Sequence, residues 1–235
     1  MVVVLILGID TSTTQVGCAI GGHEGVIASA LCAKGRRHAE NLAPAIEFVC
    51  AQSQIELSEI SVVAVDVGPG LFTGMRVGIA TGKGLAHALG VPMIGVASLD
   101  LLAFAVRFSP RLIVSAIDAR RSEVYYALYR QVPGGIQRLG EHSVGSPEEL
   151  ASQLSVRREE MLLVGDGIHR YRDLFVDVPK AEIADAGLSY PSPASLVQLA
   201  HARALREEFQ PATEVEPIYL RKPDAEINWV TRDRS

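Results

Sequence analysis

The stretch LGIDTSTTQVGCAI, residues 7–20, decides how the rest of the chain is read. It reads as a strand, a tight polar turn and a second strand. An apolar run enters Ile9, a carboxylate follows at Asp10, and hydroxyls stand at Thr11, Ser12, Thr13 and Thr14 before the apolar residues resume through Ile20. One carboxylate and several hydroxyls at the end of a buried strand suit a magnesium-bound phosphate, so the turn is either a working nucleotide site or the shell of one. The same pattern returns later. In AIDARRSEVYYAL, residues 116–128, Ile117 falls on Ile9, Asp118 on Asp10, Glu123 on Gln15 and Val124 on Val16, all at one offset of 108. A repeat of strand phase around a shared Ile-Asp points to an internal duplication.

Working outward, strands are expected at residues 2–9, 15–20 and 25–31, with GGHEG (21–25) as a hairpin turn. The period changes over residues 38–53, where Leu42, Ile46, Val49 and Cys50 fall at helical spacing. SVVAVDV (61–67) is again a strand. GPGLFTG (68–74) is a turn, with Thr73 as N-cap of a helix reaching Leu89. A short strand at 91–96 and a helix at 98–106 complete the first half. The second half repeats the plan: PGG (133–135) answers GGHEG, and LLVGDG (162–167) answers VDVGPG (65–70). Ser146, Pro147 and Glu149 spell a capping box, and Ser192-Pro193 opens another helix. The tail from Pro211 is proline-broken and extended. The expected architecture is a two-lobed, duplicated α/β fold with lobes at 1–109 and 110–235 and a seam near Ser109-Pro110.

The chain has 235 residues, 48% hydrophobic and 21% charged, with a net charge of −5 and no dense Lys/Arg run. Tight binding of nucleic acid needs clustered cations that release counterions, so the chain alone is not expected to hold RNA strongly. Cys18, Cys32 and Cys50 are odd in number and lack C-x-x-C spacing. That pattern argues against a disulfide framework or zinc site and fits a reducing cytoplasm. VVVLIL (2–7) is too short to span a bilayer and reads as a buried strand, so no membrane association is expected.

Several motifs fail on spacing. GPGLFTG is one residue longer than the dinucleotide fingerprint, and GIATGKG (78–84) has three residues where a phosphate loop has four, with Gly84 where Ser or Thr belongs. G-x-S-x-G is absent. No two of the six histidines lie three or four apart, so no helix face offers a ready pair of metal ligands, and His38 at a helix start reads as structural. Asp10 and Asp118 would face each other across a cleft in a duplicated fold. A phosphotransferase would use such a pair to hold magnesium, but the preferred reading is that each carboxylate caps its own turn. In the helix at 74–89, Gly74, Gly78 and Gly82 line one face and Gly84 adds a fourth glycine. Each costs about 0.8–1.0 kcal/mol relative to Ala, roughly 3–4 kcal/mol together. Close approach of another backbone offsets that, from the chain's own sheet and first helix or from another subunit.

LGIDTST, RRHAENLAP, VGPGLFTGMRVGIATGKGLA, PMIGVASLDLLA, AIDARRSEVYYALY and EPIYLRKP together resemble the TsaB (YeaZ) family, over nearly the whole chain. Leu71 departs from the small residue of that family's glycine turn. The resemblance implies an actin-like (ASKHA) fold, a duplicated β-β-β-α-β-α unit. It also implies a part in making threonylcarbamoyladenosine in tRNA, with a related catalytic subunit, TsaD, and an ATPase, TsaE, as partners. TsaD-type proteins carry a metal-binding H-x-x-x-H, whose two positions here are Ser98 and Leu102, and leucine cannot ligate a metal. The resemblance therefore implies a scaffold without catalytic residues, metal or cofactor of its own. Asp10, Thr11, Ser12 and Asp118 are then a vestigial nucleotide turn, and tRNA is reached only through the complex. Leu42, Ile46, Val49, Gly74, Gly78 and Gly82 are expected at a helix–helix interface that serves a homodimer or the pairing with TsaD. The alternative is an ATP-dependent phosphotransferase or ATPase of the same superfamily, acting on a small molecule. A metallopeptidase is excluded by the missing histidines.

Overall fold

A computed structural model describes residues 4–33 and 38–221. Expectations for residues 1–3 and beyond Arg221 lie outside the described residues. The first half runs β1 (Ile6–Asp10), β2 (Val16–Gly22), β3 (Gly25–Cys32), α1 (His38–Ser53), β4 (Val62–Asp66), α2 (Phe72–Leu89), β5 (Met93–Val96) and α3 (Ser98–Ala105). The second runs β6 (Leu112–Arg120), β7 (Glu123–Val132), β8 (Gly135–Arg138), β9 (Ser143–Gly145), α4 (Pro147–Ser155), β10 (Met161–Val164), α5 (Asp166–Arg170), α6 (Arg172–Phe175), β11 (Ala181–Ile183) and α7 (Pro193–Ala204).

The duplication is visible in the sheets. The first has the order β3-β2-β1-β4-β5, and the second β8-β7-β6-β10-β11, with β9 added beside β7. In each, the first three strands pair antiparallel and the last two join in parallel. This is the two-lobed, actin-like arrangement expected from the resemblance. The constant offset does not survive the hairpins, however. Asp10 pairs with Gly17, but Asp118 pairs with Val124, because a bulge at Ala119 shifts the register. The second turn is tighter, with Arg120, Arg121 and Ser122 all at positive φ (63°, 54° and 58°). Such a run is costly for residues with a Cβ.

Local signals place the starts of α4 and α7. Ser146 accepts from Glu149 N, and the Glu149 side chain returns to Ser146 N, as the capping box requires. Ser192 Oγ accepts from Ala194 N. Thr73 is not the cap of α2. The N-cap is Leu71, without a side-chain bond, and its N–H donates to Ser12 O at 2.7 Å. The β1–β2 turn, rather than a threonine, thus fixes where α2 begins.

Each lobe lends a helix to the other. Leu99 and Leu102 of α3 are buried with Ile113, Ile117, Tyr125 and Val164 of the second sheet. Leu196, Val197 and Ala200 of α7 are buried with Ile6, Ala19, Val62 and Ile94 of the first. Gly8 makes room for α7, since a Cβ there would stand 2.9 Å from Val197 Cγ2. α1 and α2 cover the opposite face of the first sheet, where Leu42, Ile46, Val49, Met75 and Ile79 join Leu7, Ile9, Val63 and Val65.

Candidate functional site

The carboxyl end of β1 delivers the turn as anticipated. Asp10, Thr11, Ser12 and Thr13 are all buried. Asp10 Oδ1 accepts from Ser12 N at 3.0 Å, so the carboxylate caps its own turn. Thr11 Oγ1 donates to Gly74 O at 2.7 Å, which ties the turn to the first residues of α2. Thr13 Oγ1 accepts from Gln15 N, and the ring of buried His38 meets Thr13 O at 2.7 Å through Nε2. The Thr11, Ser12 and Thr13 hydroxyls thus bond within the chain, and His38 has the structural role expected of it.

Asp10 finds a carboxyl partner that sequence reading missed. Ser12 Oγ lies 2.9 Å from Asp10 Oδ1 and 2.8 Å from Asp66 Oδ2, and Asp66 Oδ1 accepts from Ser98 Oγ at 2.6 Å and Gly68 N at 2.8 Å. Burial raises both carboxyls above the ordinary aspartate range. Asp66 goes well above it, with the Asp10 charge adding to burial. One signal could have found Asp66: it ends the apolar run SVVAVDV just before a glycine turn, as Asp10 ends its own strand.

Asp118 has different neighbours. Its Oδ1 accepts from Arg120 N at 3.0 Å, a second self-capped turn. Arg120 and Arg170 pair with its other oxygen at 3.0 and 3.6 Å. Asp166, whose Oδ1 accepts from Asp118 N, is pushed up to about 6, chiefly by burial. The two turns of the duplication therefore each gather a second aspartate, Asp66 for Asp10 and Asp166 for Asp118. Among the described residues no three His, Cys, Asp or Glu side chains are arranged to hold a metal.

The six residues expected at an interface need correction. Leu42, Ile46 and Val49 are 1%, 5% and 0% exposed, inside the chain's own core. The glycine face of α2 is also turned inward. A Cβ would stand 2.1 Å from Thr11 O at Gly74, 2.4 Å from Thr11 Oγ1 at Gly78 and 2.5 Å from Val65 Cγ1 at Gly82. The close approach that offsets the cost of these glycines comes from the chain's own β1 turn and β4. The outer surfaces of the two helices carry other residues: Ala43, Phe48 and Ala51 on α1, and Thr73, Ala80, Gly84 and Ala88 on α2, all exposed.

Comparison with known proteins agrees with this fold. The family described as TsaD, tRNA N6-adenosine threonylcarbamoyltransferase, matches residues 31–229. The chain is 35% identical to an uncharacterized Mycobacterium leprae protein over 94% of its own length, and it spans 56% of that relative. It is 29% identical to the Bacillus subtilis tRNA threonylcarbamoyladenosine biosynthesis protein TsaB, over 96% of this chain and 97% of that one. The solved structure of YeaZ from Pseudomonas aeruginosa superposes with a TM-score of 0.82 at 30% identity, covering 92% of this chain and all of that one. With these matches running almost end to end, the chain belongs to the TsaB/YeaZ family, within the broader TsaD group.

Proposed function

We propose that this protein is a non-catalytic subunit of the machinery that forms N6-threonylcarbamoyladenosine in tRNA, next to the anticodon. In this reading it supports a TsaD-like catalytic subunit that works with a TsaE-like ATPase. The observation that carries the reading is at Ser98 and Leu102. The family resemblance puts metal-binding histidines at these positions. Here Ser98 Oγ is engaged by Asp66, and Leu102, 2% exposed, is packed in the second lobe's core. A buried leucine and a hydroxyl already donating its proton are a poor donor set for a catalytic metal. The inward-bonded hydroxyls of the Asp10 turn likewise favour a scaffold over an ATP-dependent phosphotransferase.

The outer face of α1 and α2 is the proposed docking surface, for the catalytic subunit or for a second copy of the free chain. Phe48 is 53% exposed on α1, and small residues are exposed at Ala43 on α1 and at Ala80, Gly84 and Ala88 on α2. Small residues let two helix pairs approach closely, and one large aromatic supplies an anchor. A net charge of −5 leaves tRNA contacts to the partner.

Reconstitution with purified subunits tests the reading. Modified adenosine is expected only when the chain and a TsaD-like subunit are combined. Phe48→Asp should abolish both association and modification while leaving the melting temperature of the isolated chain unchanged. Modification or ATP hydrolysis by the chain alone, lost in Asp10→Ala, would overturn it. So would undisturbed assembly by Phe48→Asp.

A further inference from the structure

The segment after α7 does not stay on one lobe. It first follows the edge of the first sheet: Gln210 bridges Met93, and its Oε1 accepts from Gly95 N at 3.0 Å. Val215 is buried in the first lobe's core. Ile218 packs against that core, and its N–H donates 2.8 Å to Val67 O, one residue beyond Asp66. Tyr219 turns to α2, where its hydroxyl accepts from Arg76 Nε at 3.0 Å and its ring centroid lies 5.5 Å from that of Phe72. Leu220 then packs on the second lobe's core with Ile117, Ala119 and Tyr125. Arg221 Nη1 donates to Glu123 at 2.8 Å and to Ala119 O at 3.4 Å.

Within residues 218–221 the chain therefore passes from the loop after β4 to the turn after β6. Three peptide steps reach at most about 10 Å, so the two loops are held close. These loops stand at the carboxyl ends of β1 and β4 and of β6, beside Asp10, Asp66 and Asp118. In open α/β sheets that is where a crevice receives ligands.

We propose that residues 218–221 are an interlobe clasp, which fastens the carboxyl-end loop of one sheet to that of the other beside the aspartate turns. Ile218 is its anchor on the first lobe, and Leu220 with Arg221 is its anchor on the second. The two loops separate only when one anchor releases. This inference is independent of the proposed function, since it concerns how the lobes are held and not what binds their outer helices.

Hydrogen exchange read residue by residue on the full chain tests it. Gly68 N, bonded to Asp66 Oδ1, and Leu71 N, bonded to Ser12 O, report on the first lobe. Asp118 N and Arg120 N, bonded to Asp166 and Asp118, report on the second. Leu220→Asp should speed exchange at both sets by about tenfold or more, with the strand amides of β1 and β6 still protected. Ile218→Asp should do the same from the other end. If either aspartate variant loses protection throughout, Arg221→Ala decides, because it removes a half-buried side chain's bonds to Glu123 and Ala119 O without burying a charge. Faster exchange confined to the lobe on which the substituted residue packs, or no change at either set in Arg221→Ala and Leu220→Asp alike, would overturn the clasp.

Discussion

Asp10 and Asp66 share a single hydroxyl: Ser12 Oγ lies 2.9 Å from one carboxyl and 2.8 Å from the other. A hydroxyl has one proton to donate, so it cannot satisfy two ionised carboxylates. Burial raises both, and the Asp10 charge carries Asp66 well above the ordinary aspartate range.

A raised carboxyl makes stability fall as pH rises. Between the unfolded value, near the ordinary 3.8, and the folded one, the native state holds more protons than the unfolded chain. The contribution is thus fully present below the unfolded value and is lost as pH climbs through the folded one. Asp66→Asn keeps the shape and supplies a permanent N–H donor toward Ser12. Its melting temperature at neutral pH should exceed that of the wild type by about 2–4 °C, for a gain of about 1 kcal/mol. The decline with rising pH should flatten. A variant that melts lower at neutral pH and keeps the wild-type slope would show that Asp66 is ionised.

The glycines of α2 divide sharply by what surrounds them. A Cβ at Gly74 would press on the Thr11 carbonyl at 2.1 Å, whereas Gly84 has nothing within 4 Å. Gly74→Ala should therefore destabilise the isolated chain by about 2–3 kcal/mol, since a backbone carbonyl cannot step aside cheaply. Gly84→Ala should stabilise it by up to about 1 kcal/mol, as the helix propensity of alanine is gained without a clash. Chemical denaturation of the two variants measures both signs. Equal effects would mean that the α2 glycines do not differ in packing.

Tyr129 is fully buried, and its hydroxyl donates to Asp100 Oδ1 at 2.7 Å. Burial pushes Asp100 up, but hydrogen bonds from His142 and Tyr129 and the nearby charges of His142 and Arg138 outweigh it and hold the carboxyl below its usual range. A depressed carboxyl stabilises above the unfolded value and loses that contribution as pH falls through the folded one. Tyr129→Phe should cost about 1–2 kcal/mol at neutral pH, because a half-buried carboxylate loses a donor. The gap between variant and wild type should narrow as pH drops below about 3.8. Urea titrations at neutral and acid pH check the cost and its direction with pH.

Sequence alone determined the elements and their repetition. The alternation around Ile-Asp, the helical spacing of Leu42, Ile46 and Val49, and the Ser146 and Ser192 caps are local patterns, and local backbone preference decides them. Even the buried character of the glycine face was legible, because its cost demands an offset. What that face meets was not legible. Periodicity shows that a side is covered and leaves open whether a sheet or a neighbouring molecule covers it. Only the tertiary structure turned Gly74, Gly78 and Gly82 onto Thr11 and Val65 and left Ala80 and Gly84 outside. The exchange of α3 and α7 between lobes, the pairing of Asp10 with Asp66, and the path of residues 218–221 across both sheets have the same origin. Each joins residues far apart in the chain, so each was decided by which surfaces pack together once the sheets have formed, a choice that no local window of sequence contains.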